Sequence, residues 1–398
     1  MPIGKLYRTW KEQIRAYRPN QRITQIENFA WMMVGIYQSR SVHLSKIAGK
    51  VLGNAKLLST VRRFERFLDN KAIEVRAWYQ PIAKQWIVAQ WQQLGEIRLI
   101  VDGTKVGFAH QLLMVSLAYR RRSIPIAWDW VKQVRGHSSA EKQIELLKYV
   151  KTLLPKKVVV FLVGDSEFGS IQVMKQLHQW RWYYALRQKS NTGFRVGKYD
   201  AWQTLESFVR KSGDSAWLPK GFLTKQQAFP ASVLVYWKTG EKEPWCLATN
   251  MPDRKLVLQC YQRRMWIEEM FGDLKKHGFD LECTMLRTSE HLSRLTLVVA
   301  FLFDWLISAG AKIIRIGLRH LVDRKDRRDL SLFQIGWRFI DRQLLRLLSF
   351  PLSVCAYLTQ VATCQRKLML QARTKRATLI SNPLSMSAHK QNTTRVLC

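Results

Sequence analysis

Acidic residues are scarce in this chain. Only 29 Asp and Glu stand against 65 Lys and Arg in 398 residues, a formal net charge of +36. Solubility alone does not call for such an excess; it fits a polyanionic partner, nucleic acid first and an anionic membrane surface second. Metal-site patterns are missing too. The six cysteines, at 246, 260, 283, 355, 364 and 398, form no CxxC pair, and the eight histidines form no ligand motif. That argues against zinc and for reduced thiols in a cytosolic protein. There is no GxxxxGK[ST] for an ATPase of that kind, no GxSxG and no HExxH. Long apolar runs are also lacking. The best, residues 295–310, is short for a membrane span and contains Asp304, so it reads as a buried helix. The basic N-terminus has no continuous apolar stretch and is not read as a signal peptide.

What is present begins with aromatics: 16 Trp and 12 Tyr among the cations suit base stacking as well as core packing. Residues 1–90 carry 16 Lys/Arg against 5 Asp/Glu and read as a helical, basic DNA-binding domain. Within it a short helix at 42–48, a turn at 49–53 and a second helix capped by Ser59 resemble a helix-turn-helix. Arg62, Arg63 and Arg66 are expected on the surface of that second helix, with Val61, Phe64, Phe67 and Leu68 inward. From residue 91 to 345 the pattern becomes α/β: strands at 97–101, 110–119 and 124–130, a helix at 141–154, a strand at 158–163, a helix at 171–180 and a strand at 182–187. Residues 190–250, rich in Gly, Ser and Lys between short β-like runs, look like a β-rich insertion. A helical region follows, and the segment 346–398 is expected to be helical and then disordered, since residues 371–398 have no acidic residue.

Two features carry chemistry. Asp102 and Asp165 each follow a short apolar strand, each beside a Gly. Singly they are turn residues; together they are two costly carboxylates at the ends of buried strands. The stretch 261–275, without Pro and rich in Arg, Met, Glu and Leu, reads as one helix. On it Tyr261, Arg264, Glu268 and Lys275 fall within about 60° on the helix wheel, beside an apolar stripe of Ile267, Met270, Phe271 and Leu274. An ordinary amphipathic helix with i,i+4 ion pairs has the same stripe. Joined with Asp102 and Asp165, however, Glu268 makes a set of three hard oxygen donors suited to Mg²⁺ at a phosphodiester. Arg264 and Lys275 would hold phosphates. The charge by itself fits a non-catalytic DNA-binding protein equally well, and the carboxylates fit a structure-selective nuclease.

With these residues in place, the chain resembles the DDE transposases of bacterial insertion sequences, in the branch with a Tyr-x2-Arg-x3-Glu-x6-Lys signature (insertion-sequence family four). Tyr261, Arg264, Glu268 and Lys275 keep every spacing of that signature, and the two Asp stand in LIVDGTK and VVVFLVGDSEFGS. The resemblance implies a ribonuclease-H-like catalytic core with a β-rich insertion, flanked by N-terminal and C-terminal helical regions. It implies metal-dependent cleavage at the element's ends with two Mg²⁺ ions per site, Mn²⁺ being able to substitute, and strand transfer by cut-and-paste through a hairpin intermediate. Catalytic and metal-binding roles then fall on Asp102, Asp165 and Glu268, with DNA contacts from Tyr261, Arg264 and Lys275. The partners implied are double-stranded DNA, both terminal inverted repeats and target, and a second copy in a synaptic dimer on the bacterial nucleoid, with no membrane. A Trp of the insertion would stack a flipped base. Trp245 matches best and Trp237 is the rival, while a packing Trp fits the same position. One departure is Ser166, where the family often has Arg directly after the second Asp; Glu167 and Phe168 are retained.

Overall fold

A computed structural model describes residues 2–106, 110–132 and 138–346. The readings made for the segment 346–398, a helical end and a basic tail, lie outside the described residues beyond Arg346.

Five helices come first: α1 (Pro2–Tyr17), α2 (Ile23–Ser39), α3 (Leu44–Ala48), α4 (Leu57–Asp69) and α5 (Val75–Leu94). A β-rich half follows: β1 (Glu96–Val106), β2 (His110–Tyr119), β3 (Arg122–Lys132), α6 (Ala140–Leu153), β4 (Val159–Gly164), α7 (Ile171–Gln179) and β5 (Tyr183–Gln188). The segment that reads as an insertion supplies β6 (Gly193–Arg195), β7 (Gln203–Thr204), β8 (Ser215–Leu223), β9 (Phe229–Tyr236) and β10 (Trp245–Thr249). Helices α8 (Arg254–Tyr261), α9 (Met265–Leu274), α10 (Ser289–Arg315) and α11 (Leu332–Leu345) complete the described chain.

All ten strands join one mixed sheet in the order β3-β2-β1-β4-β5-β10-β9-β8-β6-β7. β1, β2 and β3 are an antiparallel meander, while β4 and β5 run parallel to β1. Parallel neighbours need crossovers, which α6 and α7 provide. β4 is apolar throughout and buried from Val160 to Gly164, as suits a strand inside a parallel part of a sheet. β10 pairs antiparallel with β5, so the inserted strands extend the sheet rather than forming a separate lobe.

The apolar run at 295–310 lies in α10, which is long and apolar enough to cross a membrane but has 89% of its most apolar window buried inside the protein. The N-terminal helices pack on it. Trp10 of α1 meets Trp305 edge-on at 5.5 Å and Phe29 of α2 meets Phe301 at 4.9 Å. Asp304, fully buried, accepts a hydrogen bond from Tyr79 of α5 at 2.6 Å; burial raises its pKa well above the carboxylate range, against the pull of that bond. α11 crosses α10 at two glycines: a Cβ on Gly336 would sit 1.9 Å from the Leu306 carbonyl oxygen, and one on Gly310 2.0 Å from that of Leu332.

Three local readings need correction. β1 does not stop at Val101; it pairs with β2 through Asp102, opposite Met114, as far as Val106, opposite His110, so Asp102 is inside a strand. Ser59 does not cap α4. The Thr60 N–H already donates to the Lys56 carbonyl at 3.1 Å, which puts Ser59 within the first turn. The stretch 261–275 is not one helix: a 3-10 turn at Gln262–Arg264 separates α8 from α9.

Candidate active site

The register of β1 and β4 sets the site. Val101 lies opposite Gly164, so Asp102 and Asp165 come next on adjacent strands at the same end of the sheet. Asp165 is where the chain leaves β4. Its Oδ1 accepts the Glu167 N–H at 2.9 Å and caps the 3-10 turn Ser166–Phe168, a common role for Asp at a helical start. Asp102 is buried; its Oδ1 accepts the Gly103 N–H at 2.8 Å. α9 lies against β1, β2 and β3 through Ile267, Met270, Phe271 and Leu274, all buried. That seating turns Glu268 toward the two Asp. Asp102, Asp165 and Glu268 line one cleft of about 490 Å³, together with Gly103, Thr104, Ser166, Arg187, Arg264, Phe271, Gly272 and Lys275.

One guanidinium ties two of the three carboxylates. Arg264 Nη1 donates to Asp102 Oδ2 at 2.9 Å, and Nη2 lies 2.6 Å from Glu268 Oε1. Even so, burial pushes Asp102 up to about 7; Arg264 and the Gly103 N–H oppose this, while Asp165 and Glu268 add to it. For Arg264 itself burial is outweighed by Tyr261, Asp102 and Glu268, which raise its pKa further. Lys275 caps the end of α9, donates to the Lys105 carbonyl at 2.6 Å and pairs with Glu282 at 3.1 Å.

Among the described residues no group of three His, Cys, Asp or Glu is already closed around a metal position. The donor set nonetheless fits a divalent ion. It consists of hard carboxylate oxygens that converge on one cleft, with Arg264 as a cation between two of them.

The remaining expected residues are placed as follows. Tyr261 is buried behind Arg264, whose guanidinium carbon is 6.0 Å from the ring centre. Its hydroxyl lies near that guanidinium without a well-aligned hydrogen bond. Trp245, at the start of β10, meets the Tyr261 ring edge-on at 5.3 Å, so it is one ring removed from the cleft. Trp237 directly follows β9, its indole N–H donating to the Glu241 carbonyl at 2.9 Å. Arg62 and Arg66 are exposed on α4 and Arg63 lies partly buried over Phe64; none of the three lines the cleft.

Arg187 is a cleft residue that the sequence reading passed over. It is the next-to-last residue of β5, at the end of the sheet that carries Asp165, and makes a loose ion pair with Glu243 at 3.6 Å. A signal existed: the strand read at 182–187 closes on an Arg at the sheet end that carries Asp165. It faces the cleft alongside Ser166.

A family model described as "Transposase DDE domain" matches residues 94–303. No curated protein matches the chain. Among solved structures the chain is similar to piggyBac transposase, seen by cryo-EM in a synaptic complex with hairpin DNA. The identity is 12% and the TM-score 0.39, with 96% of this chain and 84% of that one covered.

Proposed function

This chain belongs to the transposase DDE domain family, and from that premise we propose that it cleaves DNA at the ends of an insertion sequence of family four and joins them to target DNA. The observation that carries the reading is the meeting of Asp102, Asp165 and Glu268 in one cleft, from two neighbouring strands and a helix remote in the chain. The sheet order β3-β2-β1-β4-β5, three antiparallel strands followed by two parallel ones, supports a ribonuclease-H-like core.

Asp102, Asp165 and Glu268 would hold two Mg²⁺ ions, with Mn²⁺ able to substitute. When bound, the ions supply charge neutralisation at the scissile phosphate and activation of water or a 3′-hydroxyl. The protein's own groups do the rest. Arg264, Lys275 and Arg187 surround the carboxylates with cations that can take phosphate oxygens of the cleaved strand. Tyr261 backs Arg264 and offers a buried hydroxyl with an unfilled hydrogen bond. Trp245, edge-on to Tyr261, would stack a base displaced from the end, as a hairpin route requires. Because Ser166 cannot contact a phosphate with charge, Arg187 takes that part. Arg62, Arg63 and Arg66 would bind flanking duplex through its backbone. Two copies would synapse two ends, and excision would be cut-and-paste.

The test uses linear DNA carrying the inverted repeats that flank the gene, incubated with the protein and Mg²⁺. Asp102→Ala, Asp165→Ala and Glu268→Ala should each lose nicking and strand transfer while retaining a gel shift. Cutting that persists in all three would refute the assignment.

A further inference from the structure

Glu167 lies two residues beyond Asp165; it does not line the cleft, and its carboxylate is held in a net of hydrogen bonds that includes Ser138 and Gln111. Oε1 accepts the Ser138 N–H at 2.8 Å and the Ser138 hydroxyl at 2.5 Å. Gln111 Nε2 donates to both oxygens, at 3.1 Å to Oε1 and 2.9 Å to Oε2. Gln143 of α6 completes the net from behind, its Nε2 donating to the Glu167 carbonyl at 3.2 Å and to the Ser138 carbonyl at 3.0 Å. One side chain therefore ties β2, the entry to α6 and the turn after β4 together. Through its own backbone N–H it also fixes Asp165 Oδ1, at 2.9 Å.

The same knot reaches the first Asp. A Cβ on Gly103 would sit 2.4 Å from Gln111 Nε2 and 3.3 Å from Glu167 Oε2. Gly103 thus leaves room for the Glu167–Gln111 pair to pass directly over the residue after Asp102. Each Asp has a neighbour in contact with this pair, one through a backbone hydrogen bond and the other through close packing.

Accepting the two-metal reading above, we propose that Glu167 is a positioning residue that sets the separation and aim of Asp102 and Asp165 for divalent ions, without being a ligand itself. Both oxygens are engaged, Oε1 by Ser138 and Gln111 and Oε2 by Gln111, and Glu167 has no place in the cleft wall. Residues that hold metal ligands in place commonly change metal affinity or activity by roughly tenfold to a hundredfold when removed.

The test is direct binding of Mn²⁺ to the full chain, followed by electron paramagnetic resonance without DNA, for wild type, Glu167→Ala, Glu167→Gln, Asp102→Ala and Asp165→Ala. Glu167→Ala should weaken Mn²⁺ binding at least about tenfold. Glu167→Gln should fall between it and wild type, because its carbonyl can still accept from Ser138 while its amide no longer accepts from Gln111. In cleavage, Glu167→Ala should lose more with Mg²⁺, which demands near-ideal octahedral geometry, than with Mn²⁺, and its gel shift should stay unchanged. Unaltered Mn²⁺ affinity in Glu167→Ala, or equal loss of cleavage with both metals alongside a lowered melting temperature, would overturn the inference. If Asp102→Ala and Asp165→Ala bind Mn²⁺ as well as wild type, the metal reading itself fails, which separates the two outcomes.

Discussion

Replacing Asp102 by Asn should make the metal-free protein more stable at alkaline pH while ending its chemistry. Burial is the main reason that Asp102 is lifted from 3.8 to about 7, and Arg264 only partly offsets it. The folded protein therefore holds this proton more tightly than the unfolded chain. Below about pH 4 both states are protonated and Asp102 does not oppose folding. From there to about pH 7 a penalty builds, and above it the penalty is complete. The gap between 3.8 and about 7, at about 1.4 kcal/mol per pKa unit, corresponds to about 4 kcal/mol. Asn keeps the size of the protonated acid and its carbonyl can still accept the Gly103 N–H, so the variant should escape the penalty. Urea unfolding in EDTA should find Asp102→Asn more stable than wild type by about 2 kcal/mol at pH 5.5 and about 4 kcal/mol at pH 8.5. Adding Mg²⁺ at pH 8.5 should narrow the gap by stabilising wild type alone. A variant no more stable than wild type at pH 8.5, or one with the same gain at both pH values, would refute the reasoning.

Two further substitutions separate folding from function. Tyr261→Phe removes a buried hydroxyl without a well-aligned partner. Thermal unfolding should be unchanged or slightly improved, by up to about 1 kcal/mol, while cleavage of end DNA falls; a lower melting temperature with full cleavage would contradict this placement. Gly336→Ala puts a methyl into the α10–α11 crossing, where the Leu306 carbonyl oxygen is 1.9 Å away. Denaturant titration should register a loss of about 1–3 kcal/mol or more, and a neutral result would mean that the two helices part easily.

Much of this arrangement was legible from residue patterns, and the exceptions have physical causes. Apolar runs with turn residues between them placed β2, β4 and α7 within a residue of their bounds, because each is a short element buried by its neighbours. Asp102 was read at a strand end because Asp-Gly punctuates turns. Here Gly103 serves a different need, the close passage of the Gln111 side chain, and the strand continues. Arg264, Glu268 and Lys275 do line one cleft, yet their spacing could not reveal the 3-10 turn before Met265, between an α8 that packs on β4 and β5 and an α9 that packs on β1, β2 and β3. Arg187 and the work of Glu167 were hidden for a common reason. Both depend on which strand lies beside which, and pairing between β4 and β5 or the reach of Gln111 from β2 is non-local.

The welding of β10 onto β5 has an engineering corollary. A chain shortened by cutting out the segment from β6 to β10 would not be a pared-down enzyme. It would leave the β5 amides and carbonyls that now pair with β10 bare along an edge, an invitation to pair with the same edge on another molecule. Miniaturising this protein therefore has to begin elsewhere, or replace the lost strand with a substitute of matching register.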